Sequence, residues 1–221
     1  MAVINIILIF NQIFLMVDTR LKGKTLIKAR RMLDTLVNYL EKERMEYHLE
    51  GGTLLGFVRD GEFLEWDFDL DLSIPSHEAK KFLRYRYKLW INGYRVSRRT
   101  SKVDYGPIRK GEIRILKVKS IWYSLAANFV PSMSKRLLVA DIFIKFDNMS
   151  DVFWIAKRKI MKVPGLHYAG FDTIEYQGRS YRTPVKYNEY LTLKYGNWSI
   201  PVGDWNCGRD EKTIVASVKG L

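Results

Sequence analysis

The sequence predicts an α+β fold, in which a small mixed β-sheet is flanked by helices and followed by a C-terminal hairpin and helix. Two patterns indicate this class: apolar residues recur at helical spacing over residues 24–45, and acidic and apolar residues alternate over residues 67–72. The chain has 221 residues, of which 47% are hydrophobic, and this is enough to fill a substantial core. We therefore expect a globular protein.

The chain divides into an apolar N-terminal segment, residues 1–23, and a single predicted domain over residues 24–221. The segment begins "MAVINIILIFNQIFLMV", an apolar run interrupted by polar side chains. A spanning helix needs about 20 apolar residues, and a secretory signal has a basic start and a small-residue cleavage site. Three interpretations stay open: a weak membrane tether, a buried helix, or sequence that precedes a true start at Met16.

The first half of the domain is predicted to contain two strands between helices. An amphipathic helix covers residues 24–45, and the short strand "EYHLEGG" follows it over residues 46–52. The next residues, "TLLGFVR", predict a short helix that Thr53 caps. The sequence "FDLDLSI", residues 68–74, is the second strand, and a helix is expected to follow it over residues 76–90.

The second half alternates between strands and turns before a last helix. Apolar runs predict strands over residues 112–119 and 136–146. Residues 152–163 and 171–185 have the pattern of hairpins, and the second hairpin turns at a Gln-Gly pair. A final helix over residues 186–196 ends at a glycine, as many helices do.

Positive charge is concentrated in one part of the chain. The net charge is +13, and residues 80–119 carry 14 lysines and arginines against 2 acidic residues. Such a stretch is typical of a solvated helix face, or of contact with an anionic substrate, a phosphate-bearing carrier or a membrane surface, and nucleic acid is the less favoured partner. The single cysteine excludes an intramolecular disulfide and fits a reducing compartment.

Three aspartates occupy alternate positions at the second strand: Asp67, Asp69 and Asp71. Alternate side chains of a strand point to one face, so these carboxylates share a face, whereas Phe68 and the leucines that follow it are expected in the core. Aligned like charges repel one another unless they share a cation. The pattern therefore predicts a divalent metal site, since Mg²⁺ and Mn²⁺ prefer oxygen ligands.

Two more features belong to the same predicted end of the sheet. Asp141 interrupts an apolar strand, and a buried carboxylate needs a partner because its desolvation is costly. Gly51 and Gly52 let a nucleotide phosphate approach the backbone, and the first-turn amides of the next helix can bind it. Together these residues suit phosphoryl chemistry.

Three segments carry a resemblance to a known family: "GGTLLGFVRDGEFLEWDFDLDLSI" (51–74), "VADIFI" (139–144) and "TPVKYNEYLTLKYGNWSIP" (183–201). In this combination the chain resembles the LicD family of the nucleotidyltransferase superfamily, whose relatives include fukutin and the fukutin-related protein. The resemblance extends from about residue 25 to about residue 205 and implies a nucleotidyltransferase-type sheet. It also implies a metal-dependent transferase that moves a phosphorylated alcohol, such as phosphocholine or ribitol phosphate, from a CDP-linked donor to a glycan hydroxyl.

The resemblance also implies roles for individual residues. Asp69 and Asp71 correspond to metal ligands, with Asp67 assisting them, and Asp141 corresponds to a third ligand or to the base that deprotonates the acceptor. The residues expected at the donor phosphates are Gly51, Gly52, Thr53 and Arg59.

The implied partners are a CDP-activated donor and a glycan or lipid-linked glycan acceptor, as in the synthesis of cell-surface polysaccharides. The basic stretch would hold an anionic acceptor or lie against a membrane. We expect a cytoplasmic protein in contact with a membrane surface, or a protein of the Golgi lumen if the source is eukaryotic.

Other interpretations remain for the acidic strand. Asp67, Asp69 and Asp71 fit positions 1, 3 and 5 of a calcium-binding loop with Glu78 at position 12, but Leu72 stands where that loop needs a glycine. A plain acidic edge strand without function is another alternative. Separately, Asp141 has the alternative of a buried structural partner to an arginine such as Arg59. The chain could also be a polyanion- or membrane-binding module with a vestigial acidic site, or another nucleotidyltransferase acting on a small molecule or RNA.

Overall fold

The computed structural model describes residues 20–122 and 138–218. The predicted apolar run at the N-terminus and the first residues of the predicted strand over residues 136–146 lie outside the described residues. Within these two ranges, no helix has the length and apolar character that a bilayer crossing requires.

The elements alternate along the chain as expected for the α+β class. The helices are α1 (Gly23–Lys42), α2 (Gly51–Arg59), α3 (Ala79–Arg84), α4 (Tyr87–Ile91) and α5 (Tyr187–Tyr195), and short 3₁₀ turns cover Ser76–Glu78 and Gly165–Tyr168. The strands are β1 (His48–Leu49), β2 (Asp69–Pro75), β3 (Tyr94–Thr100), β4 (Ile113–Ser120), β5 (Val139–Asn148), β6 (Asp151–Ala156), β7 (Lys159–Pro164), β8 (Asp172–Tyr176), β9 (Arg179–Thr183) and β10 (Ile214–Ser217).

Eight of these strands form one mixed sheet, which confirms the predicted mixed α+β class. The central strands β2 and β5 are parallel, while β5 also pairs antiparallel with β4 and, through its last residues, with β6. The remaining order is β1 beside β2, β3 beside β4, and β7 and β10 beyond β6. The predicted hairpin β8–β9 forms a separate two-stranded sheet.

The core lies between this sheet and α1. The apolar residues of α1 recur every three or four positions, so Leu33, Leu36 and Leu40 share one face and are fully buried. Leu70 and Leu72 project from β2 into the same core, since they alternate with the aspartates. This packing fixes β2, and with it the direction in which the aspartates point.

The predicted helix over residues 76–90 is divided into a 3₁₀ turn, α3 and α4. The hydroxyl of Tyr39 donates to the carbonyl oxygen of Phe82 at 2.7 Å. In a continuous helix this carbonyl would accept from the amide of Arg86, so a side chain has entered the backbone ladder where the helix is interrupted. The prediction of one continuous helix was therefore wrong.

Two local predictions around the acidic segment also differ from the structure. Phe68 precedes β2 rather than lying within it, and its side chain is 54% exposed instead of buried in the core. Thr53 does not cap α2, because that helix begins at Gly51 with Glu50 as its N-cap residue. The hydroxyl of Thr53 instead accepts a hydrogen bond from the amide of Asp71 at 2.9 Å and ties α2 to β2.

Candidate active site

Three carboxylates converge beside the N-terminus of α2. One oxygen from each of Asp67, Asp69 and Asp71 lies within 4.8 Å of the other two. Asp69 and Asp71 belong to β2 and point to one face, whereas Asp67 reaches the same place from the preceding turn. We call these three residues the acidic cluster. Their carboxylate oxygens lie closer together than the spacing of about 6.5 Å between alternate residues of a straight strand.

Glycine at the start of α2 makes this convergence possible. A Cβ atom at Gly51 would lie 2.0 Å from Oδ2 of Asp71, and one at Gly52 would lie 2.0 Å from Oδ2 of Asp67. Gly51 also has φ +50°, a left-handed conformation that glycine adopts without steric cost. The amide of Gly52 donates to Asp71 at 3.0 Å, so backbone donors and carboxylates meet at one point.

Burial and mutual repulsion disfavour the ionised form of the acidic cluster. Burial, together with the neighbouring charges of Asp67 and Asp141, raises the pKa of Asp69 to about 7. Burial also raises the pKa of Asp71 well above its usual value, with Asp69 and Asp67 adding to the effect. The amide of Gly52 acts in the opposite direction on Asp71 because it stabilises the ionised carboxylate.

Asp141 lies on the neighbouring strand beside the cluster, and it has a partner of its own. It is in register with Asp71 on the parallel strand β5. The ammonium group of Lys117, opposite it on β4, donates to both of its carboxylate oxygens at 2.7 and 2.6 Å. The predicted need for a partner is thus met by Lys117, while Arg59, the alternative from the sequence, contacts other groups.

Positive side chains flank the acidic cluster on the same face of the sheet. The strand register places Lys117 and Lys119 of β4 on the face of Asp141, with Arg95 and Arg99 of β3 beyond them. Burial lowers the pKa of Lys119, and repulsion from Lys117 and Arg95 lowers it further. These four residues form a basic row next to the carboxylates.

Arg59 lies at the edge of the site rather than at its centre. Its guanidinium group donates to both oxygens of Asp60, at 2.7 and 2.9 Å, and stacks 5.4 Å from the centre of the Trp66 ring. Trp66 is 50% exposed, so with Phe68 it provides two aromatic surfaces beside Asp67.

A buried ionic network forms around Glu50, the N-cap residue of α2, and the sequence analysis missed it. Glu50 is 1% exposed and accepts hydrogen bonds from Ser73, at 3.0 Å, and from the hydroxyls of Tyr168 and Tyr190. The ammonium group of Lys145 lies 3.0 Å from Oε1 of Glu50. We call these residues, together with the buried pair Lys194–Glu211, the Glu50 network.

The carboxylate pKa in this network shifts in the direction opposite to the pKa shifts in the acidic cluster. Burial raises the pKa of Glu50, but Lys145 and Lys194 outweigh that effect and lower it to about 2. Burial lowers the pKa of Lys145 to about 8, against the opposing effect of Glu50. One signal in the sequence could have revealed the network, because Lys145 interrupts the apolar run of β5 as Asp141 does.

Comparison with known proteins identifies the family of the chain. The model of the LicD/FKTN/FKRP nucleotidyltransferase domain matches residues 44–186, which include the glycines, the acidic cluster and Asp141. The chain belongs to the LicD family. The resemblance noted in the sequence is thereby confirmed, and membership of this family indicates a transferase.

Individual relatives match over shorter stretches. The chain is 49% identical over 39 residues to "Ribitol 5-phosphate transferase FKRP" of Mus musculus and, to the same extent, of Homo sapiens. These alignments cover 18% of this LicD family chain and only 8% of each relative. A solved structure of the lincosamide antibiotic adenylyltransferase LnuA with lincomycin bound has a TM-score of 0.43 and 15% identity, over 73% of this chain and 83% of that one.

Proposed function

We propose that this protein transfers a phosphorylated alcohol from a CDP-linked donor to a hydroxyl group of a glycan, with a divalent metal ion at the acidic cluster. The observation that carries the proposal is the convergence of three half-buried carboxylates with the glycine turn and first amides of α2. Family membership supports the reaction class.

The residues present fit Mg²⁺ or Mn²⁺. The cluster offers only oxygen ligands, within 4.8 Å of one another, and hard cations prefer such ligands. Burial and like-charge repulsion raise the pKa of Asp69 and Asp71, so a cation would remove an existing electrostatic cost. We assign Asp69 and Asp71 as ligands, and Asp67 or Asp141 as the third. When bound, the ion would neutralise negative charge that develops on the transferred phosphoryl group.

The chain's own residues would perform the remaining steps. The start of α2, at Gly51 and Thr53, would bind the donor diphosphate, since helix N-termini favour anions, while the amide of Gly52 holds Asp71. The acceptor oxygen would attack the alcohol-bearing phosphorus in line, so a new P–O bond forms as the bond to the leaving CMP breaks. Asp141 would take the proton of the acceptor hydroxyl, and Lys117 would hold that carboxylate in position.

The basic row and the aromatic edge suggest where each substrate lies. Arg95, Arg99 and Lys119 stand beside Asp141, where they would attract the negative charge of an acceptor that carries phosphate or carboxylate. On the other side of the cluster, Trp66 and Phe68 expose rings on which the cytosine base could stack.

Incubation of the purified full chain with a panel of CDP-linked alcohols, Mg²⁺ and glycan acceptors tests the proposal. We expect CMP release that needs the metal, together with a rise in Tm when a CDP-alcohol and Mg²⁺ are added together, because a ligand that binds only the folded state stabilises it.

Two Asp→Asn variants test the site. One changes Asp69 in the acidic cluster, and its matched control changes the exposed Asp204. Asp69→Asn should lose CMP release and the metal-dependent Tm shift, and Asp204→Asn should keep both. CMP release at the wild-type rate from Asp69→Asn would refute the site. Salt-sensitive binding of polyanions with no effect of metal or cytidine nucleotides would favour a binding module instead.

A further inference from the structure

A second positively charged surface lies away from the acidic cluster. A cavity of about 790 Å³ is lined by α3, the turn after it, β3 and the start of β4. Five of its lining residues are cations: Lys80, Arg84, Arg86, Arg98 and Lys110. We call this cavity the basic groove.

The charges of the basic groove are not compensated by the protein that surrounds them. Over residues 20–122 and 138–218, none of the five cationic side chains has an ion-pair or hydrogen-bond partner. Glu112 is the acidic residue in the lining, and its carboxylate already accepts a hydrogen bond from the amide of Arg109 at 2.7 Å. Five neighbouring cations repel one another, so an anionic partner would stabilise the groove.

The groove is separate from the candidate active site. It is lined by Phe146 of β5, which alternates onto the face opposite to that of Asp141. Ser76, also in its lining, follows the C-terminal end of β2 and is about 16 Å along the strand from Asp71 at about 3.3 Å per residue. A ligand in the groove therefore need not contact the carboxylates.

Exposed apolar side chains continue from the rim of the groove. Tyr87 lines the groove, and Trp90 and Ile91 follow it at the i+3 and i+4 positions, so the three share one face of α4. They are 52%, 65% and 72% exposed, whereas Leu89 on the other face is fully buried. The surface thus combines cations with an unpacked aromatic and aliphatic face.

We propose that the basic groove and the exposed face of α4 dock the protein onto a membrane surface that contains anionic phospholipids. Lipid phosphates would occupy the groove, while Trp90 and Ile91 enter the boundary between headgroups and acyl chains. Tryptophan favours this boundary, and nearby arginines and lysines add attraction to anionic lipid. A soluble polyanion would satisfy the cations but would leave Trp90 and Ile91 without a partner.

Co-sedimentation of the full chain with vesicles tests this proposal. One set contains phosphatidylcholine alone, and the other contains phosphatidylcholine with about a third phosphatidylglycerol, a content that gives a negative surface potential. We expect binding to the anionic vesicles that weakens with salt, and little binding to the neutral ones.

Three double variants, each checked for an unchanged Tm, separate the contribution of the groove cations to vesicle binding from the contributions of overall net charge and of the apolar face of α4. Arg84→Glu/Arg98→Glu should lower the fraction bound by about tenfold or more, because two attractive charges become repulsive. Lys157→Glu/Lys159→Glu changes the net charge equally in the β6–β7 turn and should bind within about twofold of wild type. Trp90→Ser/Ile91→Ser should also weaken binding by about tenfold, through lost apolar burial.

Several results would overturn the proposal. These are equal binding to neutral and anionic vesicles, no binding to either, or equal losses in the groove and β6–β7 variants. If inositol hexakisphosphate displaced the protein completely and Trp90→Ser/Ile91→Ser bound normally, the groove would be a site for soluble polyphosphates. The groove variants should release CMP from CDP-alcohols at the wild-type rate, so membrane docking and transferase activity can fail independently.

Discussion

The acidic cluster and the Glu50 network both lie at the start of the same short helix, α2, yet their charges are compensated to different degrees. Asp67, Asp69 and Asp71 gather like charges, and their pKa values rise. Glu50 lies in the network beside Lys145 and accepts from two tyrosine hydroxyls, and its pKa falls to about 2. Burial acts to raise the carboxylate pKa in both regions, so burial alone does not explain the difference.

The comparison separates charge that supports the fold from charge that is available for function. A compensated buried pair is costly to break, because removal of one partner leaves an unpaired charge. An uncompensated cluster opposes folding until a cation binds, and perturbed carboxylates of this kind concentrate at functional sites. Substitutions in the acidic cluster should therefore lower activity more than stability. Substitutions in the Glu50 network should lower stability more than activity.

The largest expected effect is on turnover in the acidic cluster. Asp71→Asn should lower the rate of CMP release by about 10³-fold or more, since electrostatic stabilisation of a phosphoryl group commonly contributes that much. Removal of one of several repelling charges should leave the free energy of unfolding in metal-free buffer unchanged or higher. Steady-state kinetics and urea unfolding measure the two quantities. A variant that is strongly destabilised without metal would mean that the cluster is structural.

The next effect is on the stability of the Glu50 network. Lys145→Met leaves Glu50 buried without its nearest cation, and it should lower the free energy of unfolding by about 4 kcal/mol. Lys162→Met is the control, because Lys162 pairs with Asp151 at 3.3 Å with 40% of its side chain exposed. That loss should stay below about 1 kcal/mol. Equal losses in urea denaturation would contradict the distinction between the two pairs.

A pH effect should also distinguish the network. The pKa of Glu50 falls from its ordinary value of 4.5 to about 2, so between these values the unfolded state binds more protons than the folded state. The stabilisation is complete above pH 4.5 and is lost as the pH falls toward 2. The difference corresponds to about 3 kcal/mol. In Glu50→Gln, the free energy of unfolding should lose this part of its pH dependence between pH 4.5 and pH 2. The same acid dependence in the variant as in the wild type would refute the assignment of this effect to Glu50.

The smallest expected effect concerns the glycine turn. In Gly52→Ala the new Cβ would lie 2.0 Å from Oδ2 of Asp67, so the carboxylate must move out of the cluster. We expect a loss of about 2 kcal/mol from crowding, with weaker metal-dependent stabilisation. Gly203→Ala is the control, since its Cβ would meet open space. Thermal shifts with and without Mg²⁺ compare them, and an equal metal response would argue against close packing at Gly52.

The sequence predicted the fold class and most elements because their patterns are local. Alternation over β2 located Asp69 and Asp71, and helical spacing located α1. It failed where a contact between distant residues decides the outcome. The hydroxyl of Tyr39 reaches Phe82 at a separation of 43 residues, and no local pattern indicates that the helix is interrupted there.

For the site, the sequence alone identified the acidic residues and the glycine pair, since like charges and small residues at fixed spacing are visible in one segment. Only the tertiary structure decided their environments. Lys117 is 24 residues from Asp141, Tyr190 is 140 residues from Glu50, and Lys145 reaches Glu50 only because β5 lies beside β2. Charge pairing depends on distance in space, so the sequence named the charged groups and the fold determined which of them are compensated.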